Sequence, residues 1–285
     1  MRIRHVDAFT SEPLTGNPAA VVDGAGLSAG VMQRIALNQN LSETVFLLPP
    51  EDRANSVRIR IFTPRSELPF AGHPTLAAAH ILTEEHISTP AAGAPLLLET
   101  GAGIIPVELA GGSPRYTMTQ SPPQFRAPAV NAAAVARALG LEPDDVVHVE
   151  DVSTGLWWTI AQVRSFEAMI GVTPDFALLQ GVMLGIFCAG SATEGVDVRV
   201  RAFAVGEGIP EDPVTGSANG CIAAFVAQHG VLTAHNGEIA YIAEQGIEAG
   251  QPGRVYIRVT DAEHQPRVHV GGDAVTVLRG ELLLE

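Results

Sequence analysis

A short pattern that occurs twice constrains this chain more than any other feature. In the first half, Arg60-Ile61-Phe62 is followed by a polar loop, Leu68-Pro69, and then Gly72-His73-Pro74-Thr75 ahead of an alanine-rich segment. In the second half, Arg201-Ala202-Phe203 is followed by a polar loop, Ile209-Pro210, and then Thr215-Gly216-Ser217 ahead of another small-residue segment. Arg60, Phe62 and Pro69 map onto Arg201, Phe203 and Pro210 at one constant offset, after which a few extra residues enter the second copy. Each copy reads as strand, glycine loop and helix N-terminus, so the chain should fold as two related halves.

The remaining elements fit around these copies. Residues 2–9, 19–22, 44–48 and 56–62 read as strands, and Ser28 caps a helix running to about Asn38. An alanine-rich helix over 74–82 is followed by a hairpin, 96–99 with 104–109, turning at Gly101-Ala102-Gly103, and by a strand over 115–120. The proline-rich stretch 121–128 is the best linker candidate. Beyond it, Asn131 caps a helix to about Leu139; 157–162, 185–189 and 196–203 read as strands, and 173–180 and 218–228 as helices. Two or three strands close the chain, the last over 274–284.

Composition then removes whole classes of function. The hydrophobic fraction of 46% over 285 residues supplies a sizeable core. No run reaches the ~18 consecutive apolar residues of a membrane span, and residues 1–5 lead into a strand pattern without signal-peptide features, so a cytoplasmic protein is expected. A net charge of −14, from 17 Lys+Arg against 31 Asp+Glu with no basic cluster, argues against nucleic acid as a partner. The two cysteines, Cys188 and Cys221, form no CxxC pair and sit among apolar or small residues, as structural thiols do. The nine histidines are scattered, with no HExxH or other close-spaced ligand pair, so neither a metal nor a cofactor is expected.

The two glycine loops are the natural place for chemistry. A helix N-terminus leaves backbone N–H groups unpaired, and with the helix dipole these attract an anion. Two such termini could hold a carboxylate and stabilise developing negative charge; they could also be ordinary helix caps, with Thr215 and Ser217 supplying capping hydroxyls. Glu43 lies between a helix and the apolar strand Thr44–Leu48, where partial desolvation would suit it to acid–base work; a solvated carboxylate at a strand start is the alternative. His73 could donate a proton, orient a substrate, or be structural. Asp212 could cap its turn or hold the histidine and a substrate amine.

Four motifs, in order, carry a family resemblance. Asp7-Ala8-Phe9-Thr10 with Thr15-Gly16-Asn17-Pro18, then Leu41-Ser42-Glu43-Thr44-Val45-Phe46, Glu67-Leu68-Pro69-Phe70-Ala71-Gly72-His73-Pro74-Thr75, and Glu211-Asp212-Pro213-Val214-Thr215-Gly216-Ser217-Ala218 resemble the PhzF-like proteins of phenazine biosynthesis. The resemblance covers residues 7 to 218, and the C-terminal third carries no motif. It implies the α+β diaminopimelate-epimerase fold: two pseudo-symmetric domains, each a β-barrel-like sheet around a central helix, with the active site in the cleft between them. The domains would be 1–120 with about 275–285, the last strand returning, and 121–274. A homodimer acting on a small-molecule carboxylate, without membrane or nucleic acid, is implied as well.

The resemblance also implies roles. Glu43 matches the family's general acid–base, His73 and Asp212 its histidine and aspartate, and Ser217 its serine at the second helix. Backbone N–H groups of Gly72, His73, Gly216 and Ser217 would bind the carboxylate, with Asn17 and Ser42 as further substrate contacts. Diaminopimelate-type epimerases and proline-type racemases instead place a cysteine beside each glycine loop. Here Ala71 stands at the first place and Asp212 near the second, and Cys221 lies too far along its helix to substitute. One carboxylic acid shuttling a proton, as in trans-2,3-dihydro-3-hydroxyanthranilate isomerisation, fits better than two thiols. Two readings stay open beside the isomerase: a lyase or hydrolase acting on a β-hydroxy amino acid through Glu43, and a non-catalytic carboxylate-binding protein on the same fold.

Overall fold

Two helices rich in small residues are buried on all sides, and each has a sheet curled around it. The structure, a computed structural model, describes residues 1–262 and 264–284. The chain divides into two units, Met1–Met118 with Gly271–Glu285, and Thr119–Val270.

In the first unit, β1 (Arg2–Ala8) pairs antiparallel with β2 (Asn17–Asp23). Helix α1 (Ala29–Gln39) carries the chain over to β3 (Glu43–Leu48), which runs parallel to β2. Strand β4 (Val57–Phe62) returns antiparallel and pairs with the short β5 (Glu67–Leu68). Helix α2 (Gly72–Glu84) follows, and β6 (Leu96–Thr100) re-enters parallel to β4. Strands β7 (Gly103–Leu109) and β8 (Tyr116–Thr119) continue the sheet antiparallel.

The second unit repeats the plan. After β9 (Gln124–Arg126) and α3 (Ala132–Leu139), β10 (Val146–Ser153) pairs antiparallel with β11 (Trp157–Val163). Helix α4 (Phe166–Ile170) leads to β12 (Leu184–Ala189), parallel to β11. Strand β13 (Val198–Ala204) returns antiparallel and pairs with β14 (Ile209–Asp212). Helix α5 (Gly216–His229) follows, and β15 (Ile239–Gln245) re-enters parallel to β13. Strands β16 (Gly253–Thr260) and β17 (Arg267–Gly272) come next, and β18 (Ala274–Glu281) pairs antiparallel with β1.

The small residues of the central helices allow the curl. Every residue of α2 from His73 to Leu82 is buried, and Ala77, Ala78 and Ala79 let strands approach closely. Helix α2 meets β1, β2, β3, β4 and β18; α5, with Ala218, Gly220, Ala223 and Ala224, meets β10, β11, β12 and β16. The outer helices bury one face only. Met32, Ile35 and Ala36 of α1 pack with Ile3, Val22 and Phe46, and Val135, Ala136 and Leu139 of α3 pack with Ile186 and Phe203. The architecture is α+β, two pseudo-symmetric sheets each wrapped around a helix. Among the described residues no helix is long and apolar enough to cross a membrane.

Three local expectations change. The proline-rich stretch is not a bare linker, because Gln124–Arg126 pairs with β10 as β9. Residues 173–180 form no helix, 173–175 being irregular and 176–180 turn: Thr173 and Asp175 donate their backbone N–H to Leu139 and Ala138 carbonyls, which fixes the segment against α3. The helix of this region lies earlier, at α4, where the Ser165 hydroxyl accepts from Ala168 N–H. Among the described residues four strands, rather than two or three, follow α5.

Candidate active site

The residues singled out by sequence fall into two groups, one in each unit. In the first unit, Gly16 sets up the start of β2. Its φ of +71° and the 2.3 Å approach a Cβ would make to the Ala8 carbonyl leave room for glycine alone. The turn delivers Asn17, fully buried, and the Ser42 hydroxyl donates to its Oδ1 at 3.4 Å. Glu43 opens β3 in parallel register with Ala19 and is 8% exposed, so it is not the solvated carboxylate that the sequence left open.

His73, in the first turn of α2 beside Gly72, is 6% exposed, and its Nε2 lies 3.1 Å from Glu43 Oε2. Burial pushes the imidazole pKa down to about 3, against which a hydrogen bond to the Pro18 backbone acts. Proline has only a carbonyl to offer, so a ring N–H donates there, and because Nε2 makes no hydrogen bond that donor is Nδ1. A neutral ring protonated at Nδ1 turns a lone pair toward Glu43. Near neutral pH the imidazole therefore carries no charge.

In the second unit, Asp212 ends β14 at 8% exposure and accepts from the Thr215 hydroxyl at 2.6 Å. Thr215 occupies the N-cap position of α5, but its hydroxyl serves Asp212 and caps no helical N–H. Gln245 ties the loop together. Its Nε2 donates to the Asp212 carbonyl and to Thr215 Oγ1, both at 2.9 Å, and its Oε1 accepts from Thr215 N at 3.1 Å and Asn219 Nδ2 at 2.8 Å. The chain then turns at Gly246, with φ of +91°, where a Cβ would fall 2.5 Å from the Pro213 carbonyl. Gly216 and Ser217 open α5, and the Ser217 hydroxyl accepts from Trp158 Nε1 at 3.1 Å.

Sequence reasoning missed Gln245, Asn219 and Trp158. Gln245 is 33 residues from Asp212, and Trp158 is 59 from Ser217; no spacing rule links them. A strand residue with a buried amide or indole N–H is the only signal either offers.

Capping separates the central helices from the outer ones. Ser28, Asn131 and Ser165 each accept a backbone N–H at the starts of α1, α3 and α4. Helices α2 and α5 have no side-chain cap, so their first-turn N–H groups are available to an anion. The cysteines are poor nucleophiles: burial pushes both thiols up to about 11, and Cys221 donates to the Leu156 carbonyl.

Known proteins resemble this chain in sequence and in fold. A trans-2,3-dihydro-3-hydroxyanthranilate isomerase of Pseudomonas chlororaphis is 37% identical, over 98% of this chain and 98% of its own. The crystal structure of a Bacillus anthracis phenazine biosynthesis protein of the PhzF family superposes with a TM-score of 0.88 at 31% identity, covering 100% of this chain and 99% of that one. A hydroxyproline epimerase of Agrobacterium vitis shares the fold, with a TM-score of 0.66 at 13% identity, over 98% of this chain and 91% of its own. The family model for the phenazine biosynthesis-like proteins matches residues 6–280, and the chain belongs to that family.

Proposed function

We propose that this isomerase moves one proton between two carbons of a small cyclic carboxylate, with Glu43 as the acid–base and with no metal or organic cofactor in the reaction. The contact between Glu43 and His73 carries the proposal. A carboxyl only 8% exposed stands 3.1 Å from an imidazole that burial keeps neutral. With the imidazole held neutral, Glu43 is the member of the pair left to serve as the acid–base. His73, held by Pro18, stands against the carboxyl and orients it.

A proton shuttle on one face of a planar carbon framework needs one base that becomes the acid. Glu43 takes the proton, the electron pair delocalises toward the substrate's unsaturated system, and Glu43 returns the proton to another carbon. The start of α2, at Gly72 and His73, has no side-chain cap and suits negative charge on the substrate; in its own unit the start of α5, at Gly216 and Ser217, has the same property. Asn17 and Ser42 add polar contacts beside Glu43, and Asp212 supplies a carboxylate held by Thr215. Two-thiol chemistry is disfavoured by the raised cysteine pKa values. A homodimer in the cytoplasm is part of the same proposal.

Proton exchange in D2O followed by NMR tests it. The panel is trans-2,3-dihydro-3-hydroxyanthranilate with small amino and cyclic carboxylates, run with wild type and Glu43→Gln. Glu43-dependent deuterium uptake with conserved substrate mass is expected. A change of mass would make the protein a lyase or hydrolase, and tight binding without exchange would make it a binding protein. Turnover by Glu43→Gln at the wild-type rate would end the single-glutamate mechanism.

A further inference from the structure

We infer that the second unit carries a divalent-metal site of its own, built by His148, Glu150 and His229, which staples the C-terminal turn of α5 to β10. The three residues are no part of the groups described above. His148 and Glu150 stand two apart on β10 and so share a face, and His229 is the last residue of α5. One ligand atom from each lies within 4.8 Å of the other two. Tetrahedral zinc, with Zn–N near 2.0–2.1 Å, sets its ligand atoms roughly 3.3 Å apart, so small side-chain rotations close the set.

The scaffold beneath is rigid. Phe225, fully buried one turn before His229, meets His148 edge-on at 5.1 Å between centroids and His229 at 4.4 Å. The two imidazole centroids lie 4.3 Å apart, near enough for a nitrogen of each ring to reach one ion. The side chains of His229 and Glu150 are 26% and 21% exposed, open enough for an ion to enter. Ligands on a strand and a helix end are placed more firmly than ligands on loops.

The donor set selects the ion. Two imidazoles and one carboxylate suit Zn2+ and its first-row neighbours, not Mg2+ or Ca2+, which take oxygen ligands. A fourth position remains for water. The present contact, His229 Nε2 to Glu150 Oε2 at 2.8 Å, is a proton-mediated version of the same link, and the metal replaces that proton. The rival role is a plain ion pair at a helix C-terminus, where the dipole favours a cation. That pair needs only His229 and Glu150, and leaves the His148 nitrogens outside it.

The test uses the untagged full-length protein, stripped with a chelator. Calorimetric titration with ZnCl2 should give one ion per chain, and CoCl2 should give the visible d–d bands of a low-coordinate site; MgCl2 should give neither. His148→Gln, Glu150→Gln and His229→Asn should each weaken zinc binding by more than about tenfold, the least that loss of an outer-shell partner costs. At a hundredfold excess over Kd, zinc should raise the wild-type melting temperature by roughly 5–10 °C, and no variant should show the rise. Circular dichroism of the metal-free variants checks that each is folded. Zinc binding unchanged in folded His148→Gln, or absent from wild type, would overturn the inference and leave the ion pair.

Discussion

The two glycine-loop regions share a frame and differ in what the frame holds. Arg60 on β4 reaches Glu67 on β5 at 2.6–2.7 Å, and Arg201 on β13 reaches Glu211 on β14 at 2.8–2.9 Å. Each guanidinium also lies over the phenylalanine two residues on, at 5.2 and 5.3 Å. Past these braces the copies diverge. The first delivers a titratable pair, Glu43 and His73; the second delivers a loop locked by neutral hydrogen bonds through Gln245. Their exposure diverges too: the Arg60 side chain is 24% exposed and that of Arg201 5%. A duplicated scaffold thus carries two different contents, a buried Glu–His pair in one copy and a hydrogen-bonded loop in the other.

The comparison can be broken at several points. Glu43→Gln should lower turnover by about 10²–10⁴-fold with the fold intact, the range for a lost general acid–base, whereas no single change in the Gln245 network should approach it. Arg201→Met leaves Glu211 nearly buried and unpaired and should cost about 3–5 kcal/mol in urea unfolding; Arg60→Met, at the exposed copy, should cost less than about 1 kcal/mol. Equal losses would mean that the braces are not differently buried in solution.

Gln245→Leu, which strips a buried donor and acceptor from Asp212, Thr215 and Asn219, should destabilise by about 2–4 kcal/mol. The same variant should raise KM more than it lowers kcat. His73 sets an acid limit. Its folded pKa of about 3 lies below the ordinary 6.5, so between these values the unfolded chain binds the extra proton and stability falls as pH falls. Wild type should lose up to about 1.4 kcal/mol per pH unit more than His73→Gln in that window, and nothing extra above it. Parallel curves would show that the ring is not buried neutral. Cys221→Ala should leave turnover within about twofold, since its thiol is buried and pushed up to about 11.

Local signals were legible in the sequence. Ser28 and Asn131 cap their helices, and the hairpin of β6 and β7 turns where Gly101-Ala102-Gly103 stand. These features depend on a few adjacent residues. Segments whose state depends on distant partners were not legible. Residues 173–180 carry a helix-like apolar pattern, yet their backbone bonds to α3 hold them out of a helix. Gln124–Arg126 is a strand because β10 accepts it and Arg126 pairs with Asp151, against the local weight of proline. The candidate site divides in the same way. Glu43, His73, Asp212 and Ser217 stood out by motif, but whether Glu43 is solvated was decided by the parallel register of β3 with β2 and by the start of α2. His148, Glu150 and His229 escaped every spacing rule, because Glu150 and His229 are 79 residues apart.

The pairing of β18 with β1 bears on how the protein is made. The Met1 amino group and the Leu282 carbonyl that meet at 3.0 Å are 281 residues apart, so β1 leaves the ribosome with one edge unpaired until the far end of the chain follows. At 5–20 residues per second that interval is roughly 15–55 s. An open strand edge is a template for pairing with other chains, and this one is exposed throughout translation of the second unit. A chain ending before β18 leaves that edge of β1 unpaired and should aggregate more readily than the full chain.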